Sequence, residues 1–512
     1  MDSNRPGVAV FGDLHNHCAI SYAHGDLDDA LANAALRLDF VSITGHADWP
    51  DMDADDPRIA HIVDFHKKGF AKLEAGWEAY LSRIAEFEGR SSLVTYPGYE
   101  IHSNEHGDYT IVGREHDLPM RLADSPDELR AAFRQAYGPP SGGTASPPVM
   151  LFPHHIGYRR GARGVNWASF REDFSPVVEI YSMHGLADSD HSDKPSLHSM
   201  GPWQHYGTME HGLDLGKRFG VIGNTDHHSG HPGSYGHGLT GAWSASRDRN
   251  AIWEALYSRR TWAMTGDAAR LWYTVAGVPM GEEAALHDLK SRGSEAAVEI
   301  ELDATAAIDY VEFLANGRRI GLWWEEPAAP PPSEAIVELE LGWGERGKQA
   351  EWTVAIDVEG GDILELIPRF RGPEVVSPLD ADGGSVPTRN TVLDASGGSI
   401  RFTTSTWGNM TNSTPSTQGM ALRLSSPERC RLDVEMNGRR ESAQVSELLK
   451  GSRSGNLGPI DSPAYRLSAV DPAMYRRSIR WELPNIEDGW VAVKARLKNG
   501  HWVIGSPIRI RD

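Results

Sequence analysis

The first apolar run of the chain leads into two histidines, His15 and His17, which one asparagine separates. Side chains of an extended strand alternate between its two faces, so both imidazoles point to the same side. Two histidines placed in this way can bind a single metal ion. The pair alone is weak evidence, because a chain with 22 histidines contains such pairs by chance. Ligands elsewhere in the chain decide between a polar loop and half of a metal site.

Four later apolar runs also end in residue types that bind metals. The side chains at the ends of these runs are His46, Glu100, His154 with His155, and Asp226 with His228. In proteins that alternate strands with helices, the carboxyl ends of the strands gather at one face, where active sites lie. We therefore expect residues spread over more than 200 positions to converge on one metal centre.

The hydrophobic pattern predicts the elements that would position these residues. Up to residue 266, apolar runs alternate with amphipathic segments, such as the one that follows a capping Asp26. This alternation predicts an α/β domain over residues 1–266. Over residues 267–512, short runs alternate polar and apolar residues and break at Gly, Asn and Asp. That texture predicts a β-sandwich-like domain.

Composition limits the function classes. The net charge of −21 repels nucleic acids and anionic lipids, so we expect neither nucleic acid nor membrane as a partner. No apolar run reaches the roughly 20 residues that span a bilayer, and the first residues lack the features of a signal peptide. Because the chain has only two cysteines, Cys18 and Cys430, we predict a cytoplasmic location. Twenty of the 22 histidines lie at or before His237, which favours metal chemistry in the N-terminal part.

The motifs resemble, in order, those of the PHP (polymerase and histidinol phosphatase) superfamily. They read "DLHNHCAIS", "LDFVSITGHAD", "GYEIHS", "PHH" and "GNTDHH", and the resemblance covers roughly residues 8–265. "VVEIYSMHG", "RRTWAMTGD" and "GSPIRI" resemble the uncharacterised DUF3604 branch of that superfamily. The resemblance implies a distorted (β/α)7 barrel, two to three divalent ions and hydrolysis of phosphoesters. The C-terminal β domain would be an accessory domain.

The resemblance also implies a set of metal ligands for three ion positions. They are His15, His17 and Asp226 for the first ion, Glu100 as the bridge to the second, His154 or His155 with His106 for the second, and His24, His46 and His228 for the third. His102 is the alternative to His106. Imidazoles together with carboxylates suit Zn, Mn or Fe better than Mg, which prefers oxygen ligands.

Other residues are candidates for proton transfer and substrate binding. Asp13 is expected to orient an imidazole ligand, because ligating histidines usually donate their second ring N–H to a carboxylate or carbonyl. His184 or His227 is a candidate to protonate the leaving oxygen, with an ordinary loop histidine as the alternative. The candidates to bind an anionic small-molecule substrate are Arg159, Arg160 and Arg163. Residues 185–211 form a candidate lid.

Three functions are compatible with this pattern. The first is a metal-dependent phosphoesterase, in which a hydroxide bridging two ions attacks a small-molecule phosphate ester. The second is a metallohydrolase that cleaves an amide, ester or lactone with the same ions. The third is a binding protein with a vestigial metal site. We favour the first, because the resemblance implies hydrolysis of phosphoesters, and we rank the third lowest, since no ligand position in the five motifs carries an apolar residue. The oligomeric state stays open.

Overall fold

The computed structural model describes residues 5, 7–138, 146–194, 196–291, 296–324, 333–373, 375, 391–409, 415–483 and 487–512. The elements before residue 265 are β1 (Val8–Asp13), α1 (Leu27–Ala35), β2 (Phe40–Asp48), α2 (Ala60–Glu88), β3 (Val94–Ile101), β4 (Tyr109–Gly113), α3 (Pro126–Tyr137), β5 (Val149–Pro153), β6 (Val177–Ser182), β7 (Gly185–Leu186), α4 (Met209–Asp214), β8 (Gly220–Gly223), β9 (Leu239–Ser244), α5 (Arg249–Tyr257) and β10 (Thr261–Met264). Short 3₁₀ turns occupy Pro57–Ile59 and His205–Gly207.

The later elements are mostly strands. They are β11 (Ala269–Val275), β12 (Val278–Pro279), β13 (Glu283–Ala285), α6 (Leu286–Ser291), β14 (Ala297–Ala304), β15 (Ile308–Ala315), β16 (Arg318–Trp323), β17 (Glu334–Trp343), β18 (Gln349–Glu359), β19 (Ile363–Arg369), β20 (Val392–Ser396), β21 (Ser399–Trp407), β22 (Gln418–Ser425), β23 (Arg431–Met436), β24 (Arg439–Gln444), α7 (Val445–Leu448), β25 (Arg453–Asn456), β26 (Pro463–Val470), α8 (Pro472–Tyr475), β27 (Arg476–Glu482), β28 (Gly489–Leu497), β29 (Trp502–Gly505) and β30 (Ile508–Arg511).

Side-chain caps fix the starts of several helices. The Asp26 carboxylate accepts a hydrogen bond from the Asp28 N–H at the start of α1, which confirms the predicted cap. Ser125 caps α3 in the same way by accepting from the Glu128 N–H. Both helices turn apolar side chains such as Leu31 and Phe133 into a core beneath the sheet. In the described part of the chain, no helix has the length and apolar composition needed to cross a bilayer.

The main sheet carries most of the strands that lead to the predicted centre. β1, β2 and β3 are parallel neighbours, and β4 and β5 continue the sheet in antiparallel pairs. β9 and β10 extend its other side. The fold is therefore a mixed α/β structure with many strands and few helices. The expected distorted (β/α)7 barrel is not seen among the described strands, because the sheets stay open and β6, β7 and β8 form a sheet of their own.

Two further sheets build a separate layer in the C-terminal part. One has the strand order β19-β22-β17-β26-β25 and the other β20-β21-β18-β23-β24. Side chains from both sheets, among them Leu339, Trp352 and Phe402, fill one apolar core. Packing of two antiparallel sheets around a common core is the arrangement of a β-sandwich.

The last strands of the chain return to the main sheet. β29 pairs antiparallel with β10, where Met264 lies opposite Val503, and β28 and β30 follow beyond it. Strands from both sides of the predicted boundary at residue 267 therefore share one sheet. The pairing joins residues more than 200 positions apart, which a local pattern of polarity does not encode.

Candidate metal centre

Side chains that follow or end five strands meet in one buried region. They are His15 and His17 after β1, His46 in β2, Glu100 in β3, His154 after β5, and Asp226 after β8. The parallel register of β2 and β3 places His46 directly beside Glu100. Each of these side chains is almost completely shielded from solvent. The predicted convergence of strand ends is thus what the fold produces.

Four ligand atoms surround the first position. The Nε2 atoms of His15 and His17 lie 3.2 Å apart, and they lie 3.2 and 3.3 Å from Glu100 Oε2. Asp226 Oδ1 lies 3.0 Å from His17 Nε2 and 3.4 Å from His15 Nε2. Ligands at about 2.0–2.1 Å from a tetrahedral ion would be separated by about 3.3–3.4 Å. The four atoms therefore have the spacing of ligands to one ion.

Glu179 determines which ring nitrogen of His15 carries a proton. Its Nδ1 lies 2.9 Å from Glu179 Oε2, and Asn224 Nδ2 donates to the same oxygen. With one proton on Nδ1, Nε2 faces the carboxylates of Glu100 and Asp226, and either a second proton on the ring or a metal ion balances their charge. Burial lowers the pKa of His15, but Asp226 and Glu179 outweigh it and raise the pKa well above its ordinary value. The arrangement favours a bound cation, and its donor set fits Zn, Mn or Fe.

The second carboxylate oxygen of Glu100 faces another group of ligand atoms. Glu100 Oε1 lies 3.1 Å from His154 Nε2 and 3.1 Å from His102 Nδ1. Asp108 Oδ2 lies 3.3 Å from the same atom of His102 and 3.8 Å from His154 Nε2. Thr110 Oγ1, 3.0 Å from His154 Nδ1, orients that ring. Glu100 thus presents one oxygen to each of two ligand groups, which is the geometry of a bridge.

A third group consists of His17, His46 and His228, whose ligand atoms lie within 4.8 Å of one another. The rings of His17 and His46 stack with 3.9 Å between their centroids. The backbone N–H of His24 donates to the His228 carbonyl at 2.9 Å. The Nε2 atom of His24 is buried and has no hydrogen-bond partner among the described residues.

The structure places His102, rather than His106, at the centre. The His106 ring is half-buried and its Nδ1 lies 2.7 Å from Ser169 Oγ. His102 is the alternative ligand named above. In the sequence, its position two residues after Glu100 is what favours it. Residues two apart on an extended segment point to the same side, so His102 follows Glu100 into the site.

Asp13 has a different role from the one expected. Its carboxylate accepts hydrogen bonds from the backbone N–H groups of His15, Thr225 and Gly233 at 3.2, 3.2 and 2.9 Å, and from the Thr225 hydroxyl. It therefore ties the loop after β1 to the loop after β8 and does not orient an imidazole. The acid that orients His15 is Glu179, which the pattern of strand-end residues does not predict. The available signal was a single acidic residue inside the apolar run of β6.

The two adjacent histidines after β5, His154 and His155, have different contacts. His154 faces Glu100, as described above. His155 lies between two carboxylates, with Nδ1 3.3 Å from Asp108 Oδ2 and Nε2 against Asp226 Oδ2. Burial lowers the pKa of His155, but Asp226 and Asp108 outweigh it and raise the pKa to about 9. His154 is thus the better placed of the two to bind a metal beside Glu100.

The two candidates for proton transfer, His184 and His227, lie in different parts of the structure. His184 Nε2 lies 2.9 Å from Asp226 Oδ2. The His227 ring lies 5.9 Å from the His231 ring and 5.5 Å from that of His237, in a different histidine group. The structure therefore brings His184 to the centre and does not bring His227 there. His198, in the candidate lid, was not anticipated; its ring centroid lies 4.8 Å from that of His184.

The three arginines of the loop after β5 lie in two environments. Arg159 and Arg160 line an open depression of about 590 Å³ together with Glu105, Gln204 and Tyr206. Arg163 is buried, and its Nη2 lies 2.5 Å from Asp108 Oδ2. Arg163, His155 and Asp226 all have positive φ angles, at 67°, 47° and 50°. Such backbone strain in residues other than glycine concentrates at functional sites.

The chain is similar to uncharacterised proteins over parts of its length. No family model matches the chain. An uncharacterised protein of Chlamydia pneumoniae is 21% identical over 255 residues, which are 47% of this chain and 40% of that protein. An uncharacterised protein of Chlamydia trachomatis is 30% identical over 134 residues, or 23% of this chain and 21% of that protein. The chain therefore spans less than half the length of the curated relatives it matches.

One solved structure is similar over a larger part of the chain. It is a two-domain protein of Bacteroides vulgatus that contains a predicted PHP-like metal-dependent phosphoesterase. The similarity covers 60% of this chain and 79% of the other, at 14% sequence identity and a TM-score of 0.31. A similarity at this TM-score establishes neither fold nor activity.

Proposed function

We propose that the protein is a divalent-metal-dependent hydrolase of the PHP type that cleaves a small-molecule phosphate ester. The observation that carries the proposal is the placement of His15, His17, Glu100 and Asp226. Their ligand atoms lie 3.0–3.4 Å apart in the pairs given above, which is the spacing of ligands to one ion. Two buried carboxylates in such a site need a metal ion or added protons to balance their charge.

In this proposal, His15, His17, Glu100 and Asp226 hold one Zn, Mn or Fe ion, and His46 and His228 contribute to a second. When bound, such ions lower the pKa of a water molecule and stabilise negative charge on phosphate oxygens. Glu179 keeps the Nε2 lone pair of His15 directed at the ion.

Other residues of the chain would donate the proton to the leaving oxygen and bind the substrate anion. His184 is held at Asp226 through Nε2, and its buried Nδ1 has no hydrogen-bond partner among the described residues. That nitrogen is available to hold a proton for the leaving oxygen. Arg159 and Arg160 place positive charge around an open depression on an otherwise acidic protein. An anionic substrate would be attracted there.

The test is an activity panel on the metal-loaded protein. Phosphomonoesters, phosphodiesters, amides, esters and lactones are supplied with Mn, Zn or Fe, and turnover is compared between wild type and His15→Ala. His287→Ala is the matched control, since His287 is an exposed histidine in the C-terminal part. We expect hydrolysis of at least one phosphate ester by wild type and by His287→Ala, and its loss in His15→Ala.

Two results would contradict the proposal. Turnover of an amide, ester or lactone without any phosphatase activity would retain the metal centre but reject the substrate class. Equal phosphatase activity in wild type and His15→Ala would reject the centre itself.

A further inference from the structure

A positively charged side chain lies inside one of the three ligand groups. Arg163 Nη2 is 2.5 Å from Asp108 Oδ2 and 3.7 Å from Glu100 Oε1, and it also contacts His102 Nδ1. The side chain is only 9% exposed. Its guanidinium therefore lies among the atoms that would otherwise bind the ion on the Oε1 side of Glu100.

Without the guanidinium, these atoms would form a shell for a divalent ion. His102 Nδ1 and His154 Nε2 are each 3.1 Å from Glu100 Oε1, and Asp108 Oδ2 is 3.3 and 3.8 Å from the same two nitrogens. Two imidazoles and two carboxylates at such separations suit Zn, Mn or Fe. An arginine stays protonated at all ordinary pH values, so a dication in the same shell would face a positive charge at close range.

The position of Arg163 is set by its backbone and by its neighbours. Its carbonyl accepts the Asp108 backbone N–H at 3.3 Å, so main chain and side chain both bind Asp108. Its φ of 67° is a left-handed conformation that places the loop close to the strand ends. The guanidinium carbon lies 5.2 Å from the centre of the Trp49 ring, which adds a cation–π contact.

We propose that the Arg163 guanidinium is a built-in cation that replaces one divalent ion between Glu100, His102, His154 and Asp108. The centre would then bind one ion fewer than its carboxylates and imidazoles allow. The inference rests on the proposed metal centre, since it concerns how many ions that centre takes.

A fixed guanidinium also gives the site a directional donor. The buried Nε–H of Arg163 has no hydrogen-bond partner among the described residues. It is available to donate to an oxygen of a bound phosphate, which a metal ion at this position would instead bind directly. Arg163 would thus neutralise the carboxylates and hold the substrate anion at once.

The test is the number of ions per chain, measured by elemental analysis after equilibration with excess Mn or Zn and removal of unbound metal. Arg163→Ala and Arg163→Gln remove the charge, Arg163→Lys keeps it, and Arg159→Ala removes an exposed arginine of the same loop. We expect one more ion per chain in Arg163→Ala and Arg163→Gln than in wild type. We expect the wild-type number in Arg163→Lys and Arg159→Ala.

The same number of ions, or fewer, in folded Arg163→Ala and Arg163→Gln would overturn the inference. If both neutral variants fail to fold, anomalous X-ray scattering from wild-type crystals grown with the metal decides. Density for a guanidinium and no metal peak between Glu100 and Asp108 supports the inference, whereas a metal peak there overturns it. Failure of the metal centre as a whole gives a different result, namely no bound metal in wild type or in any variant.

Discussion

Two buried polar regions of the molecule use charge in opposite ways. At the metal centre, the carboxylates of Glu100 and Asp226 face the Nε2 atoms of His15 and His17. At the boundary with the C-terminal part, Asp267 accepts from Arg369 at 2.7 Å and from Tyr235 at 3.1 Å. Arg369 also contacts Glu338, so a guanidinium lies between two carboxylates.

The difference separates a binding site from a structural one. The boundary region, which we call the arginine junction and define by Asp267, Glu338 and Arg369, contains its own cation. Around Glu100 Oε2 and Asp226 Oδ1, the metal centre instead places the Nε2 atoms of His15 and His17, whose charge depends on whether a proton or a metal ion is bound. Dense buried charge alone is therefore not evidence of a binding site, whereas carboxylates that face imidazole nitrogens at the spacing of metal ligands are.

The largest effect is expected from Glu100→Gln, which removes the charge of the bridging residue with little change in shape. We expect activity to fall by about a thousand-fold, because charge stabilisation at the reacting phosphate is lost. The fold should be retained, since the amide keeps the shape of the carboxylate. Kinetics on the metal-loaded protein measures the loss of activity, and circular dichroism of the metal-free protein checks the fold. A folded variant with wild-type activity would contradict the role of Glu100 in the centre.

The arginine junction should show the reverse response. We expect Arg369→Ala to lower the free energy of unfolding by about 3–5 kcal/mol, because it leaves Asp267 and Glu338 buried without a cation. The metal content per folded chain should not change. Urea unfolding and elemental analysis measure both quantities, with the exposed Arg58→Ala as the control. Loss of metal from folded Arg369→Ala would show that the two regions are coupled.

A smaller effect is expected from Glu179→Gln, since Glu179 acts on the ion only through His15. Loss of the carboxylate that fixes the His15 tautomer should weaken metal affinity about 10–100-fold. Competition with a chelator of known affinity measures this change. Glu172, an acid outside the centre whose Oε1 accepts from the Arg218 N–H, provides the control variant Glu172→Gln. Unchanged affinity in Glu179→Gln would remove Glu179 from the centre.

The smallest effect concerns Cys18, the residue that follows His17. Cys18 is completely buried, and burial raises the pKa of its thiol to about 12. We therefore expect no reaction with a thiol reagent at neutral pH, with or without metal, and full reaction after unfolding. Mass spectrometry after alkylation reports the modified residue. Labelling of Cys18 in the folded metal-free protein would mean that the ion, and not packing, keeps this loop closed.

The sequence was sufficient to predict the strand-end residues that meet at the centre, because each follows a short apolar run. It also predicted the Asp26 cap, which depends on neighbouring residues alone. The sequence pattern did not predict contacts between segments that lie far apart in the chain. Glu179 reads as an ordinary acid until β6 is placed beside the loop after β1, and the pairing of β29 with β10 cannot be read from either strand. The distorted (β/α)7 barrel implied by the resemblance is not seen among the described strands, and strand order of this kind also depends on pairing between distant segments.

The central claim is that the strand ends bind a metal ion between His15, His17, Glu100 and Asp226. The most direct test is anomalous X-ray diffraction at the absorption edge of the metal, on crystals equilibrated with Mn, Zn or Fe. We predict a peak about 2.0–2.2 Å from the Nε2 atoms of His15 and His17. Crystals that contain the metal in solution but show no peak between these four residues would contradict the claim.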